Sequence, residues 1–278
     1  TDTPQYIPGY RENAIENNTP GLVSLTGAVR PIASSEKDGH FAIYATDENN
    51  LIYKAAKLMF DTYGIKGGIA IHLTKRIPIA AGMAGGSTDA AAAMRAVNKL
   101  FDLNRPLEEL EKIAVKIGAD VPFLLKSGAA IASGTGTDLK YIEPLTDCIL
   151  LLVNSGIEIS TPESYKLYDV LMEQGKIPEN AHQSSTEAAA LMEQGIEALA
   201  DKMKNVLEFP AFYTNPSLEI IKKEIKDMGA IASMMSGSGG TMFGIFSKKN
   251  ILDAVRAQQE FGKRGWFSFI CNLEKIEI

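Results

Sequence analysis

The pattern of hydrophobic and polar residues predicts regular structure from about residue 47 onward. Apolar residues between Leu51 and Met59 recur at helical spacing, and Gly64 follows them as a helix stop. Asp47 or Asn49 can cap the start of this helix. Residues 68–73 then alternate between apolar and polar, which predicts a strand that leads into a glycine-rich loop.

Further elements follow in the first half of the chain. The stretch after the glycine-rich loop is an alanine-rich helix, which Ser87 or Thr88 can cap. Residues 105–118 predict the next helix, with Pro106 near its first position. Two strands then join at a turn of residues 134–136.

The second half opens on the apolar run CILLLVNSG, residues 148–156, which predicts a buried strand and a domain boundary near Pro144. Ser160 and Glu163 have the spacing of a capping box, so a helix starts there. The later elements are helices at 187–206 and 216–228, strand–turn–strand at 230–248, a helix at 250–265 and a strand at 266–278. This order predicts an α+β protein whose second half has a ferredoxin-like pattern of helices on an antiparallel sheet. The predicted domains are residues 1–145 and 146–278.

Composition and charge narrow the classes of function. The 278 residues include 45% hydrophobic and 22% charged residues, which is typical of a globular protein with a sizeable core. A net charge of -6 argues against a nucleic-acid partner. The three histidines are isolated, which predicts no zinc site, and Cys148 and Cys271 lie in separate apolar runs as predicted free thiols. We find no bilayer-length apolar run and no signal-peptide pattern, so we expect a cytoplasmic monomer or homodimer without a membrane partner.

The sequence PIAAGMAGGSTDAAAAM, from Pro78 to Met94, combines three glycines, two hydroxyl residues and four alanines between a strand and a helix. Glycine lets backbone approach a ligand closely, and the first turn of a helix presents unpaired N–H groups at the positive end of its dipole. This combination favours an anion site, and phosphate is the usual anion. The loop is not a Walker A loop, because no lysine precedes Ser87. The alternative is a tight strand-to-helix turn that requires small residues.

Two other segments are candidates for chemistry. Asp120 follows a predicted helix in the sequence GADVPF, where it can either cap a short helix or present a carboxylate to a substrate hydroxyl. Residues 236–241, SGSGGT, form either a glycine-rich hairpin or a second set of backbone donors that closes over phosphates or substrate.

The three segments, in this order, resemble the motifs of the GHMP kinases, and the resemblance covers residues 47–278. It implies a two-domain fold, with an N-terminal domain like domain 2 of ribosomal protein S5 and a ferredoxin-like C-terminal domain. It also implies transfer of a phosphoryl group from ATP, with Mg²⁺, to a small-molecule alcohol. Within the family, the loop and GADVPF are most similar to the members that phosphorylate a cytidine diphosphate-linked methylerythritol at its 2-hydroxyl.

The resemblance also implies roles for individual residues. Asp120 matches the carboxylate that takes the proton from the 2-hydroxyl, and Tyr165 matches an aromatic residue that lies against the cytosine. The implied ATP-binding residues, the first two of them near the adenine, are Asn50, Lys75, Pro78, Ala80, Gly82, Ala84, Gly85, Gly86, Ser87 and Thr88. The implied substrate-binding residues are Tyr165, Gly237, Ser238, Gly239 and Gly240. No residue is implied as a metal ligand.

The first 46 residues depart from the family pattern. They show little periodicity, with short apolar runs at 22–25 and 41–44 as candidate strands. The family motif Pro-x-Ala-Lys-Ile/Leu-Asn-Leu is absent, and Lys37 and Asp38-Gly39-His40 do not replace it or the Asp-Gly-Tyr-His that follows it. Two alternatives stay open. One is another GHMP small-molecule kinase of the homoserine or mevalonate type. The other, to which the missing motif points, is a nucleotide-binding protein without turnover.

Overall fold

The computed structural model of the protein describes residues 23–29, 48–182, 184–200 and 202–273. The described residues of the first half form two short two-stranded sheets and four helices. In chain order its elements are β1 (Val23–Val29), α1 (Leu51–Tyr63), β2 (Ile69–Lys75), α2 (Gly85–Leu100), α3 (Leu107–Ala114), α4 (Val121–Lys126), β3 (Ala129–Ser133) and β4 (Asp138–Ile142).

β1 and β2 pair in parallel, from Val23 opposite Ile69 to Val29 opposite Lys75. The candidate strand at 22–25 is thus confirmed as part of a longer strand, whereas the run at 41–44 lies outside the described residues. β3 and β4 form the predicted antiparallel hairpin. The parallel pair matters for the site, because β2 leads directly into the glycine-rich loop.

The second half is built on a four-stranded antiparallel sheet. Its elements are β5 (Cys148–Asn154), α5 (Thr161–Glu173), α6 (Ser185–Met192), α7 (Ile196–Ala200), α8 (Glu208–Thr214), α9 (Ser217–Asp227), β6 (Ala232–Met235), β7 (Thr241–Ser247), α10 (Ile251–Lys263) and β8 (Phe267–Asn272). The strand order β6-β7-β5-β8 is that of a ferredoxin-like sheet. The prediction of an α+β fold with a ferredoxin-like second half is therefore confirmed.

The two halves have separate hydrophobic cores. In the first half α1 packs on α2, and alanines on both helices, such as Ala55 and Ala90, are fully buried, so the two backbones lie close together. In the second half α9 and α10 cover one face of the sheet, around Ile225, Phe246 and Phe261. The domain boundary between residues 145 and 146 stays a prediction.

The prediction of a single helix over 187–206 is wrong. Gly195, with a positive φ of 104°, separates α6 from α7, because a left-handed residue cannot continue a right-handed helix. α8 is an additional helix that the sequence patterns did not predict. Pro210 lies in its first turn, where proline is tolerated because the first N–H groups have no intrahelical acceptor.

Two simpler expectations concern the thiols and the membrane. Cys148 and Cys271 are both free thiols, as predicted. None of the helices within the described residues is long and apolar enough to cross a membrane. The monomeric or homodimeric state stays a prediction.

Candidate functional site

The first glycine loop, residues 78–84, connects β2 to α2 in an unusual backbone conformation. Ala80, Gly82 and Ala84 all have positive φ angles, of 51°, 70° and 48°. For alanine this left-handed conformation costs roughly 1–2 kcal/mol per residue. Such strain persists only where the surrounding structure imposes it, and it concentrates at binding sites. The conformation of this loop is therefore held by its neighbours.

The start of α2 differs from the prediction that Ser87 or Thr88 caps it. The helix begins at Gly85 after Ala84, and within the described residues no side chain caps it. Thr88 instead donates its N–H and its hydroxyl to the Ala84 carbonyl, at 2.9 and 3.0 Å. Helix geometry leaves the N–H groups of Gly85, Gly86 and Ser87 without an intrahelical acceptor. These donors and the helix dipole together suit an anion.

The glycine turn, residues 236–240, packs on the first glycine loop backbone to backbone. The Ser236 hydroxyl donates to the Gly82 carbonyl at 2.8 Å. A Cβ atom on Gly82 would lie 2.2 Å from the Ser236 carbonyl oxygen, which is closer than atoms can approach. A Cβ atom on Gly240 would lie 2.5 Å from the Ile157 carbonyl oxygen. The structure thus joins two motifs that are more than 150 residues apart in the sequence.

Lys75 lies beneath the start of α2. Its side chain is buried, and its amino group forms an ion pair with Asp89 on the first turns of α2. A Cβ atom on Gly85 would lie only 2.9 Å from the Lys75 Nζ atom, so glycine is required there for close packing. Asp89 was not predicted as a site residue, although a buried lysine requires a nearby carboxylate.

Asn50 is at the N-terminus of α1, next to the start of α2. Its Oδ1 atom accepts a hydrogen bond from the Ile52 N–H at 2.8 Å, so Asn50 caps α1. The prediction of Asn49 as the cap is therefore wrong, and Asp47 lies outside the described residues. The Leu51 side chain lies 3.4 Å from the point that a Cβ atom on Gly86 would occupy. The start of α1 therefore packs against the start of α2.

Asp120 occupies the N-cap position of α4 without capping it. Its exposed carboxylate accepts no hydrogen bond from the first turn of α4, a turn that lies wholly within the described residues. The interpretation of Asp120 as a helix cap is therefore correct for its position and wrong for its side chain. The carboxylate is accessible to a ligand.

Side chains from two other elements, α2 and β4, hold α4 in place. Arg95 on α2 donates to the carbonyl oxygens of Leu124 and Leu125, each at 2.9 Å. The amino group of Lys126 lies 4.0 Å from the ring centre of Tyr141 on β4. Burial and the adjacent Glu111 carboxylate on α3 raise the pKa of Tyr141 to about 12. α4 is thereby fixed relative to α2, which begins at the first glycine loop.

Tyr165 is on α5, with 55% of its surface exposed. One turn earlier, the Thr161 hydroxyl lies 2.6 Å from the Ser238 hydroxyl of the glycine turn. α5 starts after Ser160 as predicted, but the Ser160 side chain makes no cap hydrogen bond to the described residues of its first turn. The start of α5 therefore contacts the glycine turn through Thr161, and the Tyr165 ring one turn later is exposed rather than part of the core.

The predicted residues form one group around the start of α2, with Asp120 on a neighbouring helix. The first glycine loop, the glycine turn, Lys75, Asn50 and the start of α5 are linked by the contacts described above. Asp120 is connected to them through the packing of α4 on α2. Within the described residues, no group of three or more His, Cys, Asp or Glu could hold a metal ion.

Comparisons with known proteins agree with this arrangement. The GHMP kinases N terminal domain matches residues 50–137, and the GHMP kinases C terminal domain matches residues 188–263. The 4-diphosphocytidyl-2-C-methyl-D-erythritol kinase of Clostridium botulinum (strain Eklund 17B / Type B) is 42% identical over 219 residues, 78% of this chain and 74% of the relative. The same-named kinase of Lachnospira eligens is 41% identical over 261 residues, 92% of this chain and 87% of the relative.

Solved structures show the same fold. A crystal structure of 4-(cytidine 5'-diphospho)-2C-methyl-D-erythritol kinase has a TM-score of 0.66 and 27% identity, covering 90% of this chain and 82% of that one. Homoserine kinase from Cytophaga hutchinsonii has a TM-score of 0.66 at 19% identity, covering 91% and 83% of the two chains, which is a likeness of fold. The chain belongs to the GHMP kinase family.

Proposed function

We propose that this chain transfers the γ-phosphoryl group of ATP to the 2-hydroxyl of 4-diphosphocytidyl-2-C-methyl-D-erythritol. The main support for the proposal is the close backbone contact between the first glycine loop and the glycine turn. This contact lies at the start of α2, where N–H groups without an intrahelical acceptor suit an anion. The substrate is inferred from relatives at 41–42% identity that carry this kinase name. The alignment with one of them extends over 92% of the chain.

For the nucleotide, we propose that the phosphates lie on the first glycine loop and the first turn of α2. The residues proposed for this contact are Pro78, Ala80, Gly82, Ala84, Gly85, Gly86, Ser87 and Thr88. Asn50 is the proposed contact on the adenine side, since it lies at the start of α1 beside α2. The resemblance implies that Lys75 lies near the adenine. Because its ion pair with Asp89 keeps the amino group beneath Gly85, we propose for Lys75 a position under the phosphates instead.

Phosphoryl transfer depends mainly on positioning and on stabilising charge, both of which backbone N–H groups supply. We propose that ATP enters as its Mg²⁺ complex, since the triphosphate oxygens are ligands that Mg²⁺ prefers. The 2-hydroxyl oxygen attacks the γ-phosphorus, the bond to the β-phosphate oxygen breaks, and ADP leaves. Asp120 accepts the hydroxyl proton as general base.

On the substrate side, we propose that Tyr165 stacks on the cytosine. Its exposed ring and its place one helical turn after Thr161, which contacts Ser238, support this role. Gly237, Ser238, Gly239 and Gly240 contribute the backbone that faces the substrate. We also propose that the chain divides into domains 1–145 and 146–278, with the nucleotide contacts in the first and the cytidine contact in the second.

The test is to incubate the full chain with MgATP and the cytidylyl substrate while measuring ADP release and the new phosphate monoester by ³¹P NMR. Asp120→Asn should lower the rate by about 10²–10⁴-fold and leave ATP affinity unchanged, because a general base contributes that much. Asp227→Asn, which changes an exposed aspartate at the end of α9, is the control and should keep full activity. Phosphorylation of homoserine or mevalonate in place of the cytidylyl substrate would assign the chain to another kinase of the family.

The second candidate function is nucleotide binding without turnover. It is favoured by the absence of the Pro-x-Ala-Lys-Ile/Leu-Asn-Leu motif from residues 1–46. ATP binding without ADP release in the presence of substrate would support this candidate, and substrate-dependent ADP release would exclude it.

A further inference from the structure

Asn205, between α7 and α8, uses its whole side-chain amide in hydrogen bonds. Its Nδ2 atom donates to the carbonyl oxygens of Met235 and Gly237, at 2.9 and 2.8 Å. Its Oδ1 atom accepts from the Leu207 N–H at 3.0 Å. An asparagine amide has two N–H donors and one acceptor oxygen, so each of these groups is engaged.

The two carbonyl groups that Asn205 holds lie on either side of Ser236. Ser236 is the residue whose hydroxyl donates to the Gly82 carbonyl in the first glycine loop. Asn205 therefore fixes the backbone at the point where the glycine turn contacts the first glycine loop. Sequence patterns gave no sign of this, because Asn205 is 30 residues from Met235.

Glu208 holds the same segment from the first turn of α8. Its Oε1 atom accepts from the Met235 N–H at 2.9 Å, and its Oε2 atom forms an ion pair with Lys222 at 2.6 Å. Only 12% of the Glu208 side chain is exposed, so the carboxylate is fixed by both partners. The end of β6 is thus held on both its N–H and its carbonyl side.

The glycine turn needs such support, because its own residues provide little rigidity. Gly237, Gly239 and Gly240 all have positive φ angles and no side chains to pack. Glycine loses more conformational freedom on ordering than any other residue. A turn of this composition keeps one conformation only when groups outside it fix its backbone.

We propose that Asn205 is a positioning residue for the nucleotide site. It acts through Ser236 and Gly82 to hold the first glycine loop in the conformation that receives the ATP phosphates, and it contacts neither nucleotide nor substrate itself. The inference rests on the proposed binding of ATP to that loop.

Asn205→Ala should weaken binding of MgATP to the full chain by about tenfold, the effect of one or two hydrogen bonds that binding must restore. The turnover rate at saturating ATP and alcohol substrate should change by less than about threefold, because Asp120 and the side chains that hold α4 are untouched. A loss of general stability alone would not separate the KM for ATP from kcat in this way.

Asn98 offers a matched control. Its amide donates to the Arg105 carbonyl and accepts from the Arg105 N–H, both at 3.0 Å. It lies 13 residues along α2 from Gly85, which at about 1.5 Å per residue is about 20 Å from the start of the helix. Asn98→Ala should lower thermal stability and leave the affinity for ATP unchanged.

Asn205→Asp serves as a second variant should the alanine variant fold poorly. It keeps an acceptor for the Leu207 N–H and loses both donors, so it should weaken ATP binding as much as Asn205→Ala. Combining Asn205→Ala with Ser236→Ala should weaken binding no more than the stronger single change, because both act on one contact.

The outcomes are distinct in calorimetric titration with MgATP. Wild-type affinity in either folded Asn205 variant, or fully additive losses in the double variant, would overturn the inference while leaving the proposed function intact. A wild-type chain that binds no ATP would overturn the proposed function and this inference together.

Discussion

Replacing Gly82 with alanine tests the contact on which the candidate site depends. Gly82 has a φ of 70°, and a Cβ atom there would lie 2.2 Å from the Ser236 carbonyl oxygen and 2.8 Å from that of Gly239. Both oxygens belong to the backbone of the glycine turn, so no side chain can rotate away. The overlap is relieved only if the first glycine loop and the glycine turn separate.

The expected cost has two parts. Holding alanine in the left-handed conformation costs about 1–2 kcal/mol. Separating the segments breaks the hydrogen bond from Ser236 to Gly82, which contributes about 1 kcal/mol. The variant cannot re-form the contact, so it lacks the loop conformation that receives the phosphates. With a combined cost of about 2–3 kcal/mol, the affinity for ATP should fall by about 30–150-fold.

Gly64→Ala is the matched control for backbone strain. Gly64 ends α1 with a φ of 60°, and nothing lies within 4 Å of its Cβ position. It should lose about 1 kcal/mol or more of stability from the left-handed conformation and keep its affinity for ATP. The assay is calorimetric titration with MgATP, alongside chemical denaturation of both variants. If Gly82→Ala binds ATP as tightly as Gly64→Ala does, the contact between the two segments is not needed for binding.

Three further predictions concern charged and titratable groups. Asp89→Asn should destabilise the protein by about 3–5 kcal/mol in chemical denaturation, because it leaves the Lys75 charge buried without its partner. The double variant Lys75→Met with Asp89→Leu should recover most of that loss. Equal losses of stability in the single and the double variant would contradict this prediction. Burial and Glu111 raise the pKa of Tyr141 to about 12 from an ordinary 10.0. The protonated Tyr141 therefore contributes fully to the free energy of unfolding below pH 10. This contribution is lost between pH 10 and 12, because the unfolded chain releases the proton first. Tyr141→Phe should make unfolding less pH-dependent in that window, and an unchanged slope would refute it. Arg95→Met should lower kcat by about tenfold without changing the affinity for ATP, because it removes two hydrogen bonds that hold α4, and α4 begins directly after Asp120. A raised KM for ATP would argue against a role of Arg95 in positioning α4.

Much of the fold could be predicted because its signals are local. The apolar run of β5 and the glycine that ends α1 are read from neighbouring residues, and both were confirmed. The division between α6 and α7 was missed because helical periodicity continues across Gly195. The predicted cap Asn49 is one residue from the actual cap of α1. Asn49 and Asn50 are both asparagines, and only the geometry of the first turn shows that Asn50 accepts the capping hydrogen bond.

The candidate site could be predicted only in its backbone parts, for a physical reason. Glycine is required wherever two backbone segments approach closely, as at Gly82 and Gly240, and such glycines are visible in the sequence. Glycine supplies access but no rigidity, so other side chains must fix the conformation. Those side chains, such as Asp89 below the loop and Asn205 behind the turn, act across 14 and 30 residues of sequence and follow no periodic pattern. The glycines of such a site can therefore be recognised in the sequence, whereas the side chains that fix its conformation cannot. Substitutions of these supporting side chains are the ones that should separate nucleotide affinity from catalysis.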